Sequence, residues 1–181
     1  MCGILVLFGE EVETASYALS HRGPDDYCTK TLGRCKMDFY RLAINDLTSA
    51  GMQPFKQGKH MLVCNGEIYN HKRFRTGNEI GTSDCEILIP MIKSYGIMNT
   101  VNMIEGDFAF VYTNGKRVLA ARDPVGVRPM FYCRYDNDCI AFASEVKALL
   151  YLNSEIHIFP PGHIYDSYLD GFVCYYNTYW Y

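Results

Sequence analysis

A cysteine stands at position 2, directly behind Met1 and ahead of Gly3 and the apolar run 4–8. With Met1 removed, a thiol and a free α-amino group would share one residue, and an N-terminal amine can act as general base for its own side chain. An α-amine titrates near 7.7–8, so roughly a tenth to a sixth of it is neutral at pH 7, and a thiol near 8.5 lies within its reach. Three further segments carry groups that suit such a nucleophile. Arg41, in Arg41-Leu42-Ala43-Ile44-Asn45, could fork onto a carboxylate or simply form a surface salt bridge. Asn65-Gly66 reads as an ordinary turn. The same two residues could also supply two donors, the Asn65 amide and the Gly66 backbone N–H, converging on an oxyanion. Asp84 falls in the first turn of an expected helix, where the dipole favours its charge; it could also receive a substrate ammonium.

These groups need elements to hold them. The run 4–8 has the unbroken apolar character of a strand buried on both faces. Val12, Ala15 and Leu19 fall at helical spacing and predict a helix ending before Gly23-Pro24. Strands are expected at 37–42 and 61–64, separated by a turn-rich stretch at 48–54. Ser83 and Glu86 have capping-box spacing. The apolar positions 87, 88, 91, 92 and 95 then predict a helix up to Gly96, with Pro90 expected to kink or shorten it. Two hairpins follow: 108–113 with 117–121 around Asn114-Gly115, a type I′ signal, and 130–135 with 139–143. A short helix after Ser144 and late strands at 163–167 and 172–176 complete the pattern. Short connections make the strands antiparallel, so an α+β class is expected, with helices packed on antiparallel sheets.

Composition narrows the function. The 181 residues suit a single domain over 1–181, and a formal charge of −3 without a Lys/Arg cluster gives no reason to expect nucleic acid or an anionic membrane. The run 4–8 is too short for a signal-peptide core and no stretch is long enough to span a bilayer, so a cytoplasmic protein is expected. The eight cysteines show no C-x-x-C pair and the five histidines no H-x-x-x-H pair, so neither a metal site nor a redox pair is supported.

Taken in order, these segments carry a resemblance. They are Met1-Cys2-Gly3-Ile4, His21-Arg22-Gly23-Pro24-Asp25, Arg41-Leu42-Ala43-Ile44, Asn65-Gly66-Glu67-Ile68-Tyr69-Asn70-His71 and Ser83-Asp84-Cys85-Glu86, followed by Arg122-Asp123-Pro124-Val125-Gly126-Val127-Arg128-Pro129 and Ala143-Ser144-Glu145-Val146-Lys147-Ala148-Leu149. Together they resemble class II glutamine amidotransferases, most specifically the N-terminal glutaminase domain of glutamine-hydrolysing asparagine synthetases, over residues 1 to about 176. The resemblance implies a four-layer α/β/β/α sandwich with two antiparallel sheets, the N-terminal nucleophile hydrolase fold. It implies that Cys2 attacks the amide of L-glutamine and that Asn65 and Gly66 form the oxyanion hole. Arg41 would clamp the α-carboxylate, Asp84 and Glu67 would hold the α-ammonium, and the backbone of Leu42, Ala43, Ile44 and Asn45 would line the pocket. Asn45 replaces the small apolar residue common in relatives, which matters little if only main-chain groups act there. The His21–Asp25 segment and residues 122–129 are expected to be structural turns.

Such synthetases also carry an ATP-dependent domain with a Ser-Gly-Gly-x-Asp-Ser loop, and no such motif occurs in these 181 residues. The expectation is therefore ammonia supply to a synthetase domain or subunit, with no cofactor in this chain; ATP and Mg would belong to the synthetase domain. The alternatives are a class II amidotransferase serving another acceptor or a catalytically inactive, regulatory relative. The aromatic stretch 175–181 is expected either to dock on its own domain or to face such a partner.

Overall fold

A computed structural model describes residues 1–10, 12–44, 46–77, 81–136 and 138–177. In chain order the strands are β1 (Gly3–Phe8), β2 (Asp26–Leu32), β3 (Cys35–Arg41), β4 (Phe55–Gln57), β5 (His60–Ile68), β6 (Gly106–Thr113), β7 (Val118–Arg122), β8 (Phe131–Asp136), β9 (Cys139–Ala143), β10 (Ile156–Ile158), β11 (His163–Asp166) and β12 (Gly171–Cys174). One α-helix, α1 (Leu88–Met103), is joined by short 3₁₀ turns, among them Ser16–Arg22, Asp84–Ile87, Val146–Ala148 and Leu150–Leu152.

Among the described residues the strands form two six-stranded sheets, ordered β10-β8-β9-β1-β3-β2 and β12-β11-β7-β6-β5-β4, with antiparallel pairing throughout. The two-residue period of each strand sorts its side chains into layers. Ile4, Val6 and Phe8 of β1 meet Met61 and Val63 of β5 and Ala109 and Val111 of β6 between the sheets. Leu5 and Leu7 face the opposite way, onto Leu19, Ala148 and Leu149 of the 3₁₀ turns. On the far side of the second sheet, Leu62, Cys64, Phe108 and Phe110 pack on Leu88, Ile92 and Val101 of α1. The result is the expected α+β sandwich of four layers, although one outer layer is built from 3₁₀ turns alone among the described residues.

Local details depart from expectation for identifiable reasons. The first helix is a 3₁₀ turn beginning at Ser16, so Val12 lies outside it. Ser83 caps nothing with its side chain, and Glu86 Oε2 instead accepts from Gly81 N at 3.0 Å. Pro90 produces no kink because α1 starts only at Leu88, and a proline in the first turn gives up an N–H that would have no intrahelical partner. The break falls at Gly96 (φ 75°), beyond which the helix resumes to Met103. The Asn114-Gly115 hairpin forms, but with Thr113 paired to Val118 and only Gly115 of the two in the left-handed region, so the turn is longer than type I′. Asn114 Oδ1 instead accepts from Lys116 N and Arg117 N. Strand β2 had no sequence signal, because it is a polar edge strand with exposed and half-buried positions only. The tail residues 178–181 and Asn45 lie outside the described residues. Among those described, no helix is long and apolar enough to cross a membrane.

Candidate active site

Strands β1, β3 and β5 end around one cavity of about 90 Å³. Its wall contains Cys2, Arg41, Leu42, Ala43, Ile44, Asn65, Gly66, Glu67 and Asp84, together with Met1. Every expected site residue that the structure describes is therefore brought to one place, from segments up to 82 positions apart (84 − 2).

Cys2 is half-buried at the head of β1. Its Sγ lies 3.4 Å from Leu42 N, which donates to it, and 3.6 Å from Leu42 O. Burial pushes the thiol up, against the lowering pull of the Leu42 N–H, the terminal ammonium on Met1 and Arg41. A raised thiol needs a base to be a nucleophile at neutral pH. Met1, 49 % exposed, occupies part of the wall beside it. Two other thiols reach the same cavity. Contact with Cys64 and burial hold the Cys85 thiol well above its ordinary value, so it is a poor nucleophile.

Asn65 and Glu67 follow Met61 and Val63 on the face of β5 that looks toward the first sheet. Asn65 is 1 % exposed, and its Nδ2 has no hydrogen-bond partner among the described residues. A buried amide donor left open is rare and marks a place where a ligand atom can bond. Gly66 has no room for a side chain, since a Cβ would lie 2.3 Å from Asp107 O and 2.7 Å from Phe108 Cα. Both contacts are backbone, so strand pairing alone demands glycine there.

The charged walls are fixed from outside the cavity. Arg41 is buried, not a surface salt-bridge residue; Nη1 donates to Thr48 O at 2.8 Å and Nη2 to Asp46 O. Asp46 is held in turn, its carboxylate accepting from Thr48 Oγ1 (2.6 Å), Thr82 N (2.7 Å) and Thr48 N (2.9 Å). Those hydrogen bonds, Thr48 foremost, hold its carboxyl well below the usual carboxylate range. Asp84 Oδ2 accepts from Ile68 N at 2.6 Å, tying the Asp84–Ile87 3₁₀ turn to the end of β5. One cation and two anions thus line one cavity, a set of charges suited to a zwitterionic amino acid.

Several contributors were not expected at the site. The His21–Asp25 turn, expected only to shape the chain, reaches the site at both ends. Arg22 Nε donates to Cys2 O at 3.0 Å, and Asp25 Oδ2 accepts from Ala43 N at 2.7 Å. Ser144 Oγ accepts from Ile4 N at 3.1 Å, while Glu145 Oε1 accepts from Arg22 Nη1 at 2.9 Å and meets His21 Nε2 at 3.0 Å. Arg22 and Glu145 are 123 residues apart, a separation that hides the pairing in the sequence. Gln53, also in the wall, bonds both the N and O of Cys64 across the end of β4.

The Arg22–Glu145 bridge has a measurable signature. Burial alone would raise the Glu145 carboxyl, but hydrogen bonds from Arg22, Lys147 and His21 prevail and lower it from 4.5 to about 2. A carboxyl depressed by folding stabilises above its unfolded value and loses that contribution as pH falls through its folded value. Glu145→Gln is therefore expected to cost about 1–2 kcal/mol near pH 6 after solvent screening of the partly exposed pair. The difference should shrink from about pH 4.5 downward and close near pH 2, as urea unfolding of the two proteins at each pH would measure.

Comparison with known proteins places this geometry. The glutamine amidotransferase domain family matches residues 1–160. An Arabidopsis thaliana glutamine-hydrolysing asparagine synthetase is 37 % identical over all of this chain and 34 % of its own length. A Saccharomyces cerevisiae glutamine-hydrolysing asparagine synthetase is 36 % identical over 99 % of this chain and 34 % of its own. The chain thus spans about a third of the length of these curated relatives. Among solved structures, a glutamine phosphoribosylpyrophosphate amidotransferase from B. subtilis superposes with a TM-score of 0.74 at 21 % identity, covering 91 % of this chain and 47 % of the other. That likeness establishes the layered fold. With residues 1–160 matched and the cavity formed by the motifs within them, the chain belongs to the glutamine amidotransferase domain family.

Proposed function

We propose that this domain hydrolyses L-glutamine to glutamate and ammonia through a thioester on Cys2, and that the ammonia serves asparagine synthesis on an ATP-dependent domain or partner. One observation carries the reading. Cys2 and buried Asn65, whose Nδ2 has no partner among the described residues, line the same cavity as Arg41, Asp84 and Glu67.

Each group has a step. With Met1 removed, the α-amine of Cys2 takes the thiol proton, and Sγ attacks the amide carbon. The carbonyl oxygen becomes an oxyanion, for which Asn65 Nδ2 and the Gly66 N–H are the donors. The protonated amine returns its proton to the leaving nitrogen, and ammonia departs. Water, deprotonated by the same amine, then cleaves the thioester and releases glutamate. Arg41 pairs with the substrate α-carboxylate, Asp84 and Glu67 with its α-ammonium, and the backbone from Leu42 to Ile44 flanks the substrate. The asparagine destination rests on the synthetase relatives over the whole of this chain.

A second reading has an observation of its own, since Met1 occupies part of the cavity wall. A chain that keeps Met1 would be a binding or regulatory relative without catalysis. Intact mass and reaction with a glutamine-mimicking, thiol-reactive inhibitor separate the two. The glutaminase reading expects loss of Met1, a single adduct on Cys2 among the eight cysteines, and glutamate release. Retained Met1 with no adduct would establish the binding relative instead.

A further inference from the structure

Among the described residues, the buried side-chain donors without a partner belong to Arg22, Asn65 and Arg128. Arg22 bonds Cys2 O and Asn65 borders the cavity. Arg128, the third, also stands in that wall and has no role in the chemistry above.

Arg128 is delivered by a locked loop. Asp123 Oδ1 accepts from the N–H groups of Val125, Gly126 and Val127, and Oδ2 from that of Arg128. Arg122 closes the loop from within, donating to Gly126 O at 2.8 Å and Arg128 O at 2.7 Å. From this mount Arg128 Nη2 reaches Asp107 Oδ2 at 2.7 Å, with both side chains largely buried. Tyr69 Oη donates to the other oxygen of Asp107 at 2.9 Å. Asp107 lies directly opposite Glu67 in the β5–β6 register, and Phe108, the next residue, lies opposite Gly66. The same loop also holds Phe108, whose O accepts from Asp123 N at 2.8 Å.

A largely buried ion pair is weak evidence for stability, because desolvation offsets most of its attraction. What this one does is define a position. We propose that Arg128, acting through Asp107, is a positioning residue that fixes the Gly66–Glu67 end of β5 against the 123–129 loop, with Tyr69 as the second tie. The inference rests on the glutaminase reading, in which Gly66 supplies an oxyanion donor. Misplacing that donor by a fraction of an ångström weakens the transition state more than it weakens substrate binding.

Steady-state kinetics of glutamate release test it on the full chain. Arg128→Gln is expected to lower kcat roughly 10- to 100-fold with KM within about twofold, and Arg128→Lys, which keeps the ion pair, to recover most of the loss. Asp107→Asn, at a residue outside the cavity wall, should reproduce the kcat loss, and the double variant should be no worse than the poorer single one. A rise in KM alone in Arg128→Gln, additive effects in the double variant, or unchanged kcat would overturn the proposal. Should Arg128→Gln fail to fold, Tyr69→Phe decides, since it removes one hydroxyl from an exposed ring. A kcat lower by about threefold supports the positioning role, and an unchanged kcat overturns it. A parent protein that releases no glutamate would overturn the glutaminase reading itself, and this inference with it; an active parent with insensitive variants would overturn the positioning role alone.

Discussion

Cys2→Ala is expected to lower glutamate release by at least about 10⁴-fold, since loss of a covalent nucleophile typically costs that much or more. The other thiols bordering the cavity cannot substitute. Cys64 and Cys85 are fully buried against each other, and the Cys85 thiol is held well above its ordinary value. Glutamine binding should survive, because Arg41, Asp84 and Glu67 are untouched and the hydrogen bonds given up by the lost sulfur are those with Leu42. Calorimetry of glutamine binding to the alanine variant checks that split. An affinity within about threefold of the parent, with no turnover, places Cys2 in the chemistry. Residual turnover above about 1 % would mean that another nucleophile or a general-base route is at work.

The second large effect belongs to Asn65. Asn65→Ala should reduce kcat by roughly 10²–10³ with KM changed by less than about threefold, the loss expected from removing one oxyanion donor. Its stability cost should be small for a buried polar residue. Nδ2 makes no hydrogen bond in the free protein, so none of its bonds is broken by the truncation. Kinetics and thermal unfolding of the same variant give the answer together. A large loss of kcat with little change in Tm supports an open donor kept for the transition state. A large fall in Tm with kcat preserved in the folded fraction would make Asn65 a structural amide.

The two side chains also show where a sequence stops speaking. Cys2 is legible as a candidate because the proposed chemistry depends on position 2 and on the residue type, and the motifs that follow in family order select that reading over a chance cysteine. Asn65-Gly66 was ambiguous, since a turn and a pair of donors have the same spelling. Strand pairing resolves it. Gly66 is locked against Asp107 and Phe108 inside β5, so these two residues lie within a strand and not in a turn. The helix over 88–103 illustrates the opposite failure. Pro90 and Gly96 are strong local signals, yet Pro90 sits where its missing N–H costs nothing and Gly96 is passed over as a break in a longer helix.

The sequence alone marked the candidate nucleophile, the alternation that builds two buried sheets, and residue types that suit a carboxylate, an ammonium and an oxyanion. All of that is encoded over a few neighbouring positions, where spacing and side-chain chemistry act directly. Only the tertiary structure decided that Arg22 grips the carbonyl of Cys2, that Glu145 grips Arg22, and that Arg128 reaches Asp107 beside Gly66. Those contacts join segments brought together by the stacking of two sheets, and each partner is a surface-type residue that reads as a solvated charge until the sandwich closes over it. Long-range pairing leaves no periodicity behind, which is why the candidate nucleophile could be read from the letters and its supports could not.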